Sequence, residues 1–147
     1  LTMHKIKSCG VIVMRTEPQF SFLLLMKHPT RYDLPKGHIE PGEDELCCAL
    51  RELQEETGIE ASNLHLDETF RFTITHQTRY KRFGEKTIEK TVVIFLGWLR
   101  QEVNLQLSEH SSYTWVNWNP PHTIQKKTID PLLEQLEKFL YKNPLKV

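Results

Sequence analysis

The chain has 147 residues, with 19 lysines and arginines against 19 aspartates and glutamates, so its formal net charge is zero. This length predicts a single domain over residues 1–147, large enough for a core without structural disulfides. With 39% hydrophobic and 26% charged residues, the composition excludes a largely disordered chain. The zero balance argues against a protein that coats nucleic acid or membrane surfaces through a broad basic excess.

The cysteine content and the hydropathy predict a cytoplasmic protein without membrane association. Cys9, Cys47 and Cys48 are odd in number and lack zinc-site spacing, so we expect reduced, half-buried thiols. The longest apolar run, Phe22–Met26, is far below the roughly 18 residues of a membrane span. The first residues contain no signal-peptide core. Both a monomer and a homodimer agree with the sequence.

The first half of the chain predicts two strands, a loop and a helix. The apolar runs Cys9–Met14 and Phe20–Met26, with a turn-like gap between them, favour a strand pair. Residues 27–42 contain three prolines and two glycines and predict a loop. Apolar side chains then recur at helical spacing to residue 57, with Asp44 as the expected N-cap and Gly58 as the expected C-cap.

The second half predicts three more strands and a final helix. The strands are expected at Thr69–His76, Thr91–Leu99 and Tyr113–Trp118. Asp130 followed by Pro131 predicts the start of the helix, with the aspartate as N-cap. This order favours a mixed sheet covered by two helices, in an α/β or α+β domain.

The charges are concentrated in one segment. Residues 40–60 contain eight acidic residues and one basic residue, Arg51. Glu52, Glu55 and Glu56 share one face of the predicted helix because they stand at i, i+3 and i+4. Carboxylates this close repel one another unless a cation lies among them, and oxygen ligands favour Mg²⁺ or Mn²⁺ over zinc. The alternative interpretation is a solvated acidic helix face.

The same segment resembles the Nudix box at every defined position, in the pattern Gly37-x5-Glu43-x7-Arg51-Glu52-Leu53-x-Glu55-Glu56-x-Gly58-Ile59. The resemblance implies an α/β/α sandwich with a mixed sheet and a catalytic loop–helix–loop. It also implies metal-dependent hydrolysis of a nucleoside diphosphate linked to another group. The implied metal ligands are the three glutamates Glu52, Glu55 and Glu56 and the carbonyl of Gly37, and Arg51 is expected to orient Glu43.

Outside the box the chain is similar to the asymmetrically cleaving diadenosine tetraphosphate hydrolases. The similarity is carried by Leu34–Asp44, Lys90–Val92 and Leu107–Trp115 and spans most of residues 8–118. It implies cleavage of a dinucleoside polyphosphate to ATP and AMP. The implied phosphate contacts are Lys36, Lys90 and His38, and the implied stacking aromatics are Tyr113 and Tyr32. Glu109 is implied as a further metal ligand or the general base, beside Glu55 and Glu56.

Several alternatives stay open at this point. Lys36 and Lys90 could be ordinary surface lysines, and Tyr113 could be a core aromatic of its strand. Asp33 and Leu34 depart from the residues that this family usually has there, and the segment 77–90 is longer and more basic than expected. The alternative functions are removal of oxidised nucleoside triphosphates, removal of pyrophosphate from RNA 5′ ends, and nucleotide sensing without catalysis.

Overall fold

The computed structural model describes residues 3–80, 86–107 and 112–145, and within them the chain forms seven strands and two α-helices. The strands are β1 (Met3–Arg15), β2 (Ser21–His28), β3 (Arg31–Asp33), β4 (Lys36–His38), β5 (Leu64–Tyr80), β6 (Lys86–Leu99) and β7 (Ser112–Asn117). The helices are α1 (Glu45–Thr57) and α2 (Asp130–Lys142), and a short 3-10 turn at Ala61–Asn63 leads into β5.

The described strands form one mixed sheet. β1 runs parallel to β6, from the pair Met3 and Thr87 to the pair Met14 and Trp98, and β6 is antiparallel to β5. On its other side β1 pairs with β4 at its centre and with β2 only at its end. β2 also pairs with β3 and β7. β1 and β2 therefore diverge, and β3 and β4 lie in the opening between them.

One helix covers each face of the sheet. Because strand side chains alternate, Val11 and Val13 of β1 join the core cluster under α1, whereas Ile12 and Met14 join the cluster under α2. This arrangement confirms the predicted α/β/α sandwich with a mixed sheet. Neither helix of the described residues is long and apolar enough to cross a membrane.

α1 begins and ends where the sequence predicts. The Asp44 side chain accepts a hydrogen bond from the Cys47 N–H at 2.7 Å. Gly58 has a φ of 78°, the left-handed conformation that glycine adopts without strain, and its N–H donates to the Gln54 carbonyl. Local capping chemistry therefore sets both ends of the helix that carries the acidic face.

Replacing Asp44 with alanine is expected to lower the free energy of unfolding by about 1 kcal/mol, because the Cys47 N–H loses its acceptor. Urea unfolding followed by far-ultraviolet circular dichroism measures the change. Asp44→Asn is the control, since it keeps an acceptor oxygen and is expected to retain most of the stability. An alanine variant as stable as the wild type would contradict the role of this cap.

The strands are mostly longer than predicted, and the predicted loop at 27–42 is partly wrong. β1 starts at Met3 instead of Cys9, and β5 spans Leu64–Tyr80 instead of Thr69–His76. These extensions contain many polar residues, which continue the ladder of β1, β6 and β5. β3 and β4 lie inside the predicted loop, and three residues are too few to show a periodicity.

The prediction for the start of α2 is also wrong in detail. Ile129 precedes the helix, and Asp130 is its first residue. The Asp130 carboxylate accepts the N–H groups of Ile124 and Gln125 at 2.8 and 3.0 Å. It therefore stabilises the turn before α2 instead of capping the helix.

All three cysteines are free thiols, as predicted, but none is half-buried. Cys9 and Cys48 are fully buried, whereas Cys47 is exposed on α1. Burial, and to a smaller extent the neighbouring Cys9 thiol, raise the pKa of Cys48 to about 12. The buried thiols are therefore protonated packing groups.

Candidate active site

The acidic face of α1 lies against two consecutive residues of β4. The Lys36 N–H donates to Glu56 Oε2 at 2.7 Å. At Gly37, an added Cβ would lie 2.2 Å from the Cδ of Glu52, so only glycine leaves room for that carboxylate. Two of the three predicted carboxylates, those of Glu56 and Glu52, therefore lie directly against the β4 backbone at Lys36 and Gly37.

The position of β4 is set by its close approach to β1. Gly10 pairs with Lys36, and the Val11 N–H donates to the Pro35 carbonyl at 3.2 Å. A Cβ at Gly10 would lie 2.3 Å from the Pro35 oxygen and 2.5 Å from the Lys36 Cβ. Gly10 thus allows the contact that holds Lys36 and Gly37 in front of α1.

The first turn of α1 is fixed to the sheet by Glu45. Its carboxylate contacts Lys7 Nζ of β1 at 2.8 Å and both Nε and Nη2 of Arg71 of β5 at 2.9 Å. Hydrogen bonds from Arg71 and then from Lys7 lower the pKa of Glu45 to about 2. The helix is therefore held at its start by two strands.

Glu56 is the buried member of the acidic face, with 7% of its surface exposed. Burial, and to a smaller extent the charges of Glu52 and Asp33, raise its pKa to about 7. The hydrogen bond from the Lys36 N–H opposes the shift. A cation beside Glu56 would stabilise the anion that burial disfavours.

Arg51 lies at the centre of the remaining carboxylates. Its Nε and Nη2 donate to the two oxygens of Glu43 at 2.7 and 2.9 Å, a bidentate pair that confirms the predicted contact. Its Nη1 donates to Glu52 at 3.0 Å and to Glu55 at 3.2 Å. The bonds from Arg51 lower the pKa of Glu43 to about 2 and raise the pKa of Arg51.

The predicted metal ligands do not converge on one point. Among residues 3–80, 86–107 and 112–145, no three histidine, cysteine, aspartate or glutamate side chains are arranged to hold a metal ion. Arg51 pairs with Glu52 and Glu55, the Gly37 carbonyl accepts from the Cys48 thiol at 3.4 Å, and Glu109 lies outside the described residues.

The donor set nevertheless fits a hard divalent cation. All the predicted donors are oxygens, and the missing Cβ of Gly37 provides the space that the Glu52 carboxylate occupies. Glu56 supplies a second carboxylate one residue away, at Lys36. Metal ligation by these residues stays a prediction.

A cavity of about 500 Å³ opens beside β4 on the α2 face of the sheet. Its floor is apolar and comes from β5 and β6, including Phe72 and Ile94. Five basic side chains line it, namely Lys27, Arg31, Lys36, Lys90 and Lys127. The cavity therefore suits an anionic ligand that also has an apolar or aromatic part.

Three of the five predicted substrate contacts line this cavity. Lys36, Lys90 and Tyr32 come from β4, β6 and β3. The Tyr32 backbone is fixed from both sides by the Gln125 amide, at 3.1 and 2.9 Å. The side chain of His38 is exposed on β4, and its carbonyl accepts a hydrogen bond from Arg51.

Tyr113 lies in a different place. It is 44% exposed and lines a second cavity, of about 560 Å³, together with Arg15 and Trp115. Alternation along β7 puts Tyr113 on the same face as Trp115, which packs on the core under α1 and carries the Arg15 guanidinium 4.0 Å above its ring. Adenine stacking by Tyr113 stays a prediction. Tyr113 does not line the cavity that contains Lys36, so the two would contact different parts of a ligand.

Lys27 and Asp33 are among the residues of the cavity that sequence reasoning did not identify. Their side chains form an ion pair of 3.0 Å, and Asp33 also pairs with Lys36 at 3.2 Å. The ion pair between Asp33 and Lys36 could have been expected from the sequence, because the two residues are only three positions apart. The contact with Lys27 depends on the pairing of β2 with β3 and has no local signal.

The NUDIX domain model matches residues 4–138, and the chain belongs to the Nudix family of hydrolases. The asymmetrical bis(5′-nucleosyl)-tetraphosphatase of Mus musculus is 34% identical over 151 residues, covering 95% of this chain and 98% of that protein. The crystal structure of a C. elegans Ap4A hydrolase binary complex matches with a TM-score of 0.78 and 29% identity, covering 93% and 98%. The RNA pyrophosphohydrolase of Ruthia magnifica is 24% identical, covering 94% and 84%.

Proposed function

We propose that the protein hydrolyses dinucleoside polyphosphates asymmetrically, converting diadenosine tetraphosphate to ATP and AMP with Mg²⁺ or Mn²⁺ as cofactor. The observation that carries this proposal is the position of Glu52 and Glu56 against β4, beside a cavity with five basic side chains and an apolar floor. The 34% identity to the mouse tetraphosphatase over nearly the whole chain supports the choice of substrate.

Hydrolysis requires an anionic substrate to bind next to a cluster of acidic residues, and these like charges repel one another. Glu52, Glu55 and Glu56, with the Gly37 carbonyl, would hold the Mg²⁺, which would supply positive charge at the phosphoanhydride and a lowered pKa for the attacking water. Arg51 limits the movement of Glu52 and Glu55 through its hydrogen bonds. A carboxylate of this cluster accepts the proton of the attacking water.

The cavity binds the part of the substrate that does not react. Lys36 and Lys90 contact phosphate oxygens, and the apolar floor with Tyr32 packs against a base. Contacts of this kind orient the phosphate chain so that one phosphorus lies at the carboxylates of α1, which is how binding contributes to the rate.

The test is a substrate panel in the presence of Mg²⁺, with the products separated by chromatography. Diadenosine tetraphosphate is expected to be the fastest substrate and to give ATP and AMP, and ¹⁸O-labelled water identifies the phosphorus that is attacked. Equal release of two ADP molecules would contradict asymmetrical cleavage. Absence of turnover, with another nucleotide hydrolysed rapidly, would contradict the substrate class.

The panel includes 5′-triphosphorylated RNA because the basic lining of the cavity and the similarity to an RNA pyrophosphohydrolase favour it as the second candidate. Oxidised deoxynucleoside triphosphates form the third arm. Faster release of pyrophosphate from RNA than turnover of diadenosine tetraphosphate, with a steep dependence of RNA binding on salt, would favour the RNA enzyme.

A further inference from the structure

Asp33 joins two lysines that come from different strands. Its Oδ2 lies 3.0 Å from Lys27 Nζ of β2, and its Oδ1 lies 3.2 Å from Lys36 Nζ of β4. The same Oδ1 accepts the Leu34 N–H at 2.8 Å, and Leu34 is only 3% exposed. The backbone therefore fixes the carboxylate, and the carboxylate in turn fixes two cations that line the cavity.

Lys36 is held at its backbone N–H, at its Cβ and at its ammonium group. Its N–H donates to Glu56 on α1, its Cβ lies against Gly10 of β1, and its ammonium group contacts Asp33. A lysine normally loses much rotamer freedom when it binds a phosphate. Here the side chain is already ordered, one residue before the predicted metal ligand Gly37.

We propose that Asp33 is a positioning residue that holds Lys27 and Lys36 together as one phosphate-binding pair, and this inference rests on the proposed function. Two ammonium groups that approach the same carboxylate lie close to each other, and like charges at that distance repel. The Asp33 carboxylate balances this repulsion. An ammonium group has three donors, so contact with one carboxylate does not saturate it.

Asp33 has two opposite effects on the affinity for an anionic ligand. The sign of the net effect can be measured. As a negative charge it repels phosphate, whereas as an anchor it removes the ordering cost of two flexible side chains. The ion pairs are short and only 17% of the Asp33 side chain is exposed, so ordering is the larger effect in this geometry. Removal of the charge should therefore weaken phosphate binding.

The test is Asp33→Asn, which keeps an oxygen for the Leu34 N–H and removes the charge. We expect KM for diadenosine tetraphosphate to rise about tenfold, with a much smaller change in kcat, because two preorganised side chains are released. Calorimetry with inorganic tripolyphosphate and chelator should show a similar loss of affinity. Asp67→Asn is the matched control, since Asp67 lies on β5 outside the cavity lining.

A double-mutant cycle shows whether Asp33 acts through the lysines. In a Lys36→Gln background the effect of Asp33→Asn should shrink, because one of the two cations that it positions is gone. Full additivity of the two changes would overturn the inference. So would tighter binding of tripolyphosphate by Asp33→Asn, or an unchanged KM in an enzyme that cleaves diadenosine tetraphosphate.

The inference and the proposed function can fail separately. If no nucleotide of the panel is hydrolysed but tripolyphosphate binding still depends on Asp33, the proposed function fails and the phosphate-binding pair stands. If hydrolysis proceeds as proposed and neither KM nor tripolyphosphate affinity responds to Asp33→Asn, the function stands and the inference is wrong. Wild-type protein that binds no tripolyphosphate also overturns the inference.

Discussion

Replacing Glu56 with glutamine is expected to lower kcat by a factor of about a thousand or more, because the proposed metal site would lose one of its carboxylate ligands. The same change should stabilise the metal-free protein above pH 7. Glutamine keeps an oxygen for the Lys36 N–H, so the contact between α1 and β4 survives. Loss of activity together with a gain in stability separates a functional carboxylate from a structural one.

The gain in stability follows from the raised pKa of Glu56. Burial raises this pKa from 4.5 to about 7, so the folded protein binds the proton more tightly than the unfolded chain. The contribution of Glu56 to stability is therefore fully present below pH 4.5 and is lost as the pH rises through 7. The shift corresponds to about 3 kcal/mol between these limits.

Urea unfolding in chelator between pH 4.5 and pH 8 measures this effect. The wild type should lose stability relative to Glu56→Gln as the pH rises through this window, and Mg²⁺ should restore more stability to the wild type than to the variant. Glu134→Gln on α2 is the control, because Glu134 is 72% exposed and lies far along the chain from the acidic face. Equal pH dependence of wild type and Glu56→Gln would contradict the assigned pKa.

The part of the fold that the sequence predicts well is the part fixed by local interactions. The ends of α1 depend on Asp44 and Gly58, each of which acts within its own turn. Phe70, Phe72 and Ile74 alternate with other residues along the sequence, and in the structure they put one face of β5 on the core under α2. In both cases the local structure is determined by the residue type and by its immediate neighbours in the sequence.

The parts that the sequence does not predict depend on contacts between distant residues. β4 forms because Gly10 lets residues 35 and 36 approach β1 closely. The residues next to Lys36 in the sequence give no sign of this contact. The pairing of Lys27 with Asp33 likewise needs the register of β2 against β3. The extension of β1 to Met3 follows its parallel pairing with β6.

The site shows the same division. The Arg51–Glu43 contact was expected from the box pattern, and the structure contains it. The separation of Tyr113 from the Lys36 cavity was not expected, because it depends on which face of the sheet each strand presents there. The motif therefore identified the acidic residues of α1, whereas the residues that line the two cavities could be grouped only from the fold.

Replacing Gly37 with alanine is expected to reduce activity about a hundredfold while the fold persists. The new Cβ would lie 2.2 Å from the Glu52 Cδ and 2.3 Å from each carboxylate oxygen. These atoms end a flexible side chain, so Glu52 can move away without disturbing the backbone. Removal of one well-placed charged group from a catalytic site costs roughly this factor.

Gly10→Ala provides the contrast, because its Cβ would meet the Pro35 carbonyl at 2.3 Å and the Lys36 Cβ at 2.5 Å. Backbone atoms cannot rotate away, so β1 and β4 must separate, and overpacking of this kind costs about 1–3 kcal/mol. Thermal unfolding and initial rates measured on both variants give the comparison. Gly37→Ala should lose rate with little change in Tm, and Gly10→Ala should lose Tm. A fully active Gly37→Ala enzyme would show that the position of Glu52 against β4 does not matter for catalysis.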